Sequence, residues 1–313
     1  MLLISKIYAA AQKVPEDFGY RHIKLKYLDD PVDVIVISKV GEERIAKPLF
    51  LFCQDSLPKP TITYSEKGLY EVLPFQEEEL LVHFHIVIVG KPFIPVISNT
   101  EKLTKDFLFL KDQERQIATR AYLDRNYLDY YVFRNNSILK QLFKYRWAKT
   151  SKLLVAGQGE GSSIAVKMAT INKKITHLIH WGGNPYGKMT AILEEKRLNQ
   201  NSIIPVIPED FFTKWRNIVE NSTEIEYNGL ETSKSIYSFS APQRDNLIAL
   251  KIPILFCYDR EGCNVILNDL LQLEAIRAKS HNIEFACHNR AKNDDSKSNE
   301  SENWLKWWQR KSV

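Results

Sequence analysis

No window of this sequence approaches the roughly 18 consecutive apolar residues that a membrane-spanning helix requires. The four cysteines (Cys53, Cys257, Cys263 and Cys287) have no CxxC spacing, which gives no sign of a zinc ribbon. Three of them lie in or beside apolar strand-like runs, and all four read as buried thiols that pack as small hydrophobes. There is no glycine-rich tract and no dense basic block. The 43 basic and 38 acidic residues leave a charge of only +5, which argues against a nucleic-acid partner. Lys6 interrupts the apolar run of Met1–Ala11, so no complete signal peptide is visible and a cytoplasmic protein is expected. No internal repeat is present.

What is there is a chain of 313 residues, 44% hydrophobic, long enough to bury one large core. Strand-like runs recur at 23–27, 32–40, 49–53, 83–89, 152–156, 176–181, 254–258 and 283–287. Most of the later ones are continuous apolar runs of about five residues, the pattern of strands buried on both faces of a parallel sheet. The first two alternate more and lie closer together, which predicts an antiparallel start. Helical spacing is read over Asp124–Tyr145, Ser162–Thr170 and Val265–Ala278, the last with Asn264 as its N-cap. The alternation predicts an α/β fold with one mostly parallel sheet flanked by helices.

The strand signal lapses between Asn184 and Leu250, where Pro185, Pro205 and Pro208 accompany helical pieces such as Phe211–Val219. Residues 185–250 therefore read as a helical insertion in a single domain spanning 1–313. The polar stretch Asn289–Glu302 reads as a mobile loop. Trp304-Leu305-Lys306-Trp307-Trp308 reads as a closing helix packed on the sheet.

The segment Leu153-Leu154-Val155-Ala156-Gly157-Gln158-Gly159-Glu160-Gly161-Ser162-Ser163 runs from a strand through three alternate glycines into a helix. A dinucleotide fingerprint fails here, because its third glycine would fall at Ser162. The following strand ends in His180-Trp181-Gly182, without an acidic residue for a ribose. A phosphate-binding loop fails too, since no Gly-Lys-Ser/Thr follows. The pattern that remains is the nucleophile elbow, G-x-S-x-G, with Gly157 and Gly161 as its outer glycines and Gly159 at the serine position.

On these residues the sequence resembles the α/β-hydrolase superfamily, from about Tyr20 to Trp308. Phe52-Cys53-Gln54-Asp55-Ser56 falls where such enzymes carry an oxyanion loop, and Gly182-Gly183-Asn184-Pro185 closes the sixth strand before a cap-like insertion. Pro253–Tyr258 resembles the strand before the catalytic acid. The resemblance implies an eight-stranded sheet and a Ser-His-Asp triad. The three implied positions hold Gly159, Gly262 and, near the base position, Asn293, none of which does the chemistry required. Asp55 stands where the oxyanion loop usually has glycine.

The expectation is a fold without serine-hydrolase activity, holding a small molecule or a protein partner, with Gln54, Asp55, Gln158, Gly159 and Glu160 at the binding site. No cofactor, metal, nucleic acid or membrane span is expected. The competing expectation is an ester or acyl hydrolase with a relocated site. It would use Ser162 or Ser56 as nucleophile, Glu261 or Asp259 as acid and His288 as base; Cys263 would serve as nucleophile only beside a base. Two further features read as structural. His83 and His85, two apart on a predicted strand, share one face without a third metal ligand, while His177 and His180 fall on opposite faces. The aromatics of Tyr122–Phe133 read as core.

Overall fold

The structure, a computed structural model, describes residues 12–70, 72–198, 209–259, 264–288 and 296–312. Met1–Ala11, Glu261, Gly262, Cys263 and Asn293 lie outside the described residues.

The chain begins with β1 (Arg21–Tyr27), β2 (Asp30–Ile37) and β3 (Lys47–Cys53), then the short β4 (Ile62–Ser65) and β5 (Gly68–Leu69). Helix α1 (Glu78–His83), β6 (His85–Val89) and β7 (Ile97–Asn99) follow, then α2 (Arg120–Leu123) and α3 (Leu128–Leu142). Next come β8 (Ala148–Gln158), α4 (Glu160–Ile171) and β9 (His177–Trp181). Among the described residues, four helices stand between β9 and β10: α5 (Lys188–Leu198), α6 (Glu209–Glu220), α7 (Ser233–Phe239) and α8 (Arg244–Ala249). The chain closes with β10 (Ile254–Asp259), α9 (Val265–Arg277), β11 (Ile283–His288) and α10 (Ser296–Lys311).

The main sheet has eight strands in the order β1-β2-β6-β3-β8-β9-β10-β11. Pairings β1–β2 and β2–β6 are antiparallel and the remaining five are parallel, so the sheet opens antiparallel as its early alternation predicts. A separate three-stranded sheet, β5-β4-β7, has no counterpart in the sequence reading. Successive side chains of a strand point to opposite faces, and the central strands feed two cores at once. Leu49, Leu51, Leu153 and Val155 enter one cluster with α3 and α4; Phe50, Phe52, Leu154 and Ala156 enter the other with Trp304 and Trp307 of α10. Burial on both faces is why these runs are continuously apolar. Among the described residues no helix is long and apolar enough to cross a membrane.

Several expectations need correction. His83 ends α1 and only His85 lies on a strand, so the two do not share a strand face. The His85 ring instead meets Ser38 Oγ at 2.8 Å and the Ile45 carbonyl at 2.8 Å. The predicted helix at Asp124–Tyr145 is the single helix α3, which starts only at Leu128, where Tyr127 is extended and Ser238 Oγ accepts the Leu128 N–H; the short α2 ends before it. Residues 296–302 are helical rather than a loop: Ser301, Trp304, Leu305 and Trp307 are buried at helical spacing, and the polar opening turns extend that helix outward. Cys53 and Cys257 are buried thiols, but Cys287 is exposed. Asn264 sits at the N-cap of α9 with φ +78° and makes no cap bond; its side-chain oxygen accepts from Asn184 Nδ2 at 2.9 Å. The aromatics Tyr122, Tyr130 and Tyr131 are core, and His177 and His180 project to opposite sides, toward Trp307 and Phe256 respectively.

Candidate functional site

The turn between β8 and α4 is held by absent side chains. A Cβ on Gly157 would stand 2.1 Å from the Gly161 carbonyl oxygen, and one on Gly161 would stand 2.0 Å from the carbonyl oxygen of Cys53, at the end of the neighbouring β3. Neither position admits a side chain. Gly159 lies at φ +55°, ψ −125°, a conformation that costs a residue with a side chain about 1–3 kcal/mol. Its N–H reaches the Trp181 carbonyl at 3.0 Å, which ties the elbow to the end of β9.

The Asp55 carboxylate lies over that elbow, its three heavy atoms 3.2–3.4 Å from where a Gly159 Cβ would sit. Its Oδ1 accepts the Ser56 N–H at 2.7 Å and the Glu160 N–H at 3.4 Å. Glu160 follows the elbow residue, and its backbone N–H is the donor that a nucleophile elbow offers to an oxyanion. Here a tethered carboxylate occupies that donor. Beneath the loop, buried Lys91 donates to the Gln54 carbonyl at 3.2 Å and to the Asp55 carbonyl. Burial lowers the Lys91 pKa to about 8 against the pull of Asp55.

Glu160 turns into the pocket rather than to solvent. Its carboxylate accepts from Ser56 Oγ and from Lys188 Nζ at 2.6 Å, while Lys188 also donates to Glu231. Burial raises the Glu160 pKa, with Lys188 opposing and Glu231 and Asp55 adding to the rise. Burial lowers the Lys188 pKa, but Glu160 and Glu231 outweigh it and the ammonium is held charged. Lys188 comes from the first turn of α5 and Glu231 from just before α7, so two distant segments meet the elbow here.

Over the elbow lies a pocket of about 280 Å³ that Leu57, Ala191, Ile192 and Phe239 line on the apolar side. Asp55, Glu160, Lys188 and Glu195 line it on the charged side.

Among the proposed alternatives, Ser162 is fully buried. Its hydroxyl donates to the Gly157 carbonyl at 2.5 Å and accepts the Trp181 N–H at 3.2 Å. That corrects its candidacy: both roles of the oxygen are taken up by the backbone, and no substrate reaches it. Ser56 is also buried but faces Glu160. Asp259 ends β10 and is in register with His288 at the end of β11, so these two backbones are neighbours two and three strands away from the elbow. Gln158 ends β8, and the buried side-chain oxygen of Gln54 has no partner among the described residues. His180 lies under the elbow, its ring stacked on Phe256 at 4.2 Å and neither nitrogen partnered among the described residues. Burial drives its pKa down to about 3, so the ring is neutral. Among the described residues no group of His, Cys, Asp and Glu is arranged to hold a metal ion.

Lys188, Glu231 and Lys91 were not foreseen from sequence. They lie 28, 71 and 69 positions from Glu160, and no local spacing rule reports such a meeting.

No protein-family model matches the sequence, and no curated protein matches it. Solved structures do. A Pyrococcus horikoshii acylaminoacyl peptidase aligns over 93% of this chain with a TM-score of 0.57 and 15% identity; the chain spans 41% of that peptidase. A Pyrococcus furiosus esterase aligns over 96% of this chain and 95% of its own, with a TM-score of 0.54 and 10% identity. With the sheet order and the elbow, these likenesses establish that the chain has the α/β-hydrolase fold.

Proposed function

We propose that this α/β-hydrolase-fold chain is a non-catalytic member of its superfamily that binds a small molecule in the pocket over Gly159. The single observation that carries the reading is the Asp55 carboxylate, packed on the side-chain-free Gly159 and hydrogen-bonded to the Glu160 N–H. Acyl transfer at an elbow needs a nucleophile on the turn and free donors for the oxyanion. Gly159 supplies no nucleophile, and Asp55 puts a negative charge where a tetrahedral intermediate would develop its own. Residues 185–250 act as a cap over this pocket, supported by Lys188, Ala191 and Ile192 on its wall.

The competing reading, a hydrolase with a relocated site, is supported only by Ser56, whose hydroxyl lies on Glu160. One experiment separates the two. The folded protein is treated with a fluorophosphonate probe and assayed on a panel of short acyl esters, together with Gly159→Ser. No labelling and no turnover are expected from the native chain, and none from Gly159→Ser, whose serine lacks a base. Covalent labelling of a serine in the native chain refutes the non-catalytic reading.

A further inference from the structure

We infer that the pocket over Gly159 selects a small monocationic amine whose ammonium group rests on the Asp55 carboxylate and whose short apolar part lies against Leu57, Ile192 and Phe239. This rests on the reading of that pocket as a binding site.

Among the described ionisable residues on the wall, Asp55, Glu160 and Glu195 are acidic and Lys188 alone is basic. Lys188 is already engaged by Glu160 and by Glu231. Lys91 approaches from beneath but gives its hydrogen bonds to the backbone carbonyls of Gln54 and Asp55, not to the cavity. Among the described residues the wall therefore carries three carboxylates against one ammonium, with Lys91 as a second cation behind Asp55. An anionic or acyl-carboxylate ligand meets repulsion there, and a cation relieves it.

Asp55 Oδ1 has two N–H donors, whereas Oδ2 has none among the described residues and stands 3.3 Å from the vacant Cβ position of Gly159. Asp55 is exposed and lines the pocket. An ammonium on the pocket side of Asp55 gives Oδ2 its missing donor, a charge-assisted bond.

Size and shape complete the assignment. A pocket of about 280 Å³ holds roughly nine water volumes of ~30 Å³ each, below the range of pockets for drug-sized ligands. Leu57, Ala191, Ile192 and Phe239 give its far wall an apolar character. A compact aliphatic amine matches both the charge and the volume.

The test is calorimetric titration of the native chain with n-butylammonium chloride, n-butanol and sodium butyrate at equal ionic strength. Butylammonium is expected to bind at least tenfold more tightly than butanol, with butyrate weaker than both and the ammonium affinity falling as salt rises. Asp55→Asn keeps the Oδ1 acceptor but removes the charge, and is expected to weaken butylammonium at least tenfold while leaving butanol unchanged. Glu195→Gln, at the exposed rim, is expected to weaken it two- to threefold, and serves if Asp55→Asn does not fold. Equal affinity for butanol and butylammonium, or preference for butyrate, overturns the assignment. So does Asp55→Asn folding normally and binding butylammonium as the native chain does. Labelling by the fluorophosphonate instead overturns the non-catalytic reading, so the two failures are distinguishable.

Discussion

Mild acid should destabilise this protein through His180 by an amount that follows from burial. The ring is fully enclosed, stacked on Phe256, and neither nitrogen has a partner among the described residues. Its pKa falls from the model-peptide value of 6.5 to about 3 on folding. Because the folded pKa is the lower one, the unfolded chain takes up the proton first. Stability is therefore intact above pH 6.5 and is lost as pH falls toward 3. Between pH 7.5 and pH 5 this single group should remove about 2 kcal/mol, and the full interval between the two pKa values corresponds to about 5 kcal/mol. With a urea m-value of about 3 kcal/mol/M, the pH 5 loss moves the unfolding midpoint by roughly 0.7 M. Burial also lowers the pKa values of His85 and His177, which add loss of the same sign. The measurement is thus a difference: urea midpoints of the native chain and of His180→Leu at pH 7.5 and pH 5. The variant keeps the other histidines and should lose about 2 kcal/mol less between the two conditions. Equal pH sensitivity in the two proteins would refute the argument that His180 is buried neutral and unpartnered.

The other expectations concern the elbow, the ion cluster and the thiols. Gly161→Ala drives a methyl to 2.0 Å from the Cys53 carbonyl oxygen and should cost about 3 kcal/mol or prevent folding. Gly229→Ala, where the nearest atom is 3.9 Å away, should cost less than about 1 kcal/mol; chemical denaturation compares them. Lys188→Met leaves Glu160 and Glu231 facing each other and should destabilise by about 3 kcal/mol at pH 8, with part of that regained at pH 5 as a carboxylate protonates; thermal melts at both pH values check it. Cys53 and Cys257 should resist a disulfide reagent at pH 8 in the native state, while Cys287 reacts within minutes, as mass spectrometry of the labelled peptides will show. Burial lifts the Cys53 thiol to about 12, which leaves almost no thiolate at that pH.

All eight strands of the main sheet were legible in the sequence, the central ones as apolar runs that need both faces covered and the first two by their alternation. The elbow was legible for a different reason. Gly157 and Gly161 are fixed by contacts with their own turn and the adjacent strand end, so local spacing carries the signal. What escaped was long-range. His83 carries the same residue type whether it ends a helix or starts a strand, and α1 was hidden in a run that continues into β6. The polar turns that begin α10 read as loop because their helical register shows only from Ser301 onward. In the pocket, Asp55 and Glu160 were visible as departures from a motif. Their partners Lys188 and Glu231 come from the segment between β9 and β10 and are brought in by the chain's path alone.

The contact between Asp55 and the vacant face of Gly159 also constrains the order in which sequence changes can be made. A serine introduced first at 159 meets the Asp55 carboxylate at 3.2 Å from its Cβ while accepting an unfavourable φ of +55°. A glycine introduced first at 55 removes that obstacle and frees the Glu160 N–H, so the second step then meets only the backbone term. The two substitutions are therefore not interchangeable in sequence of introduction. Their effects on stability should be non-additive, and the route that changes Asp55 first meets the smaller steric cost.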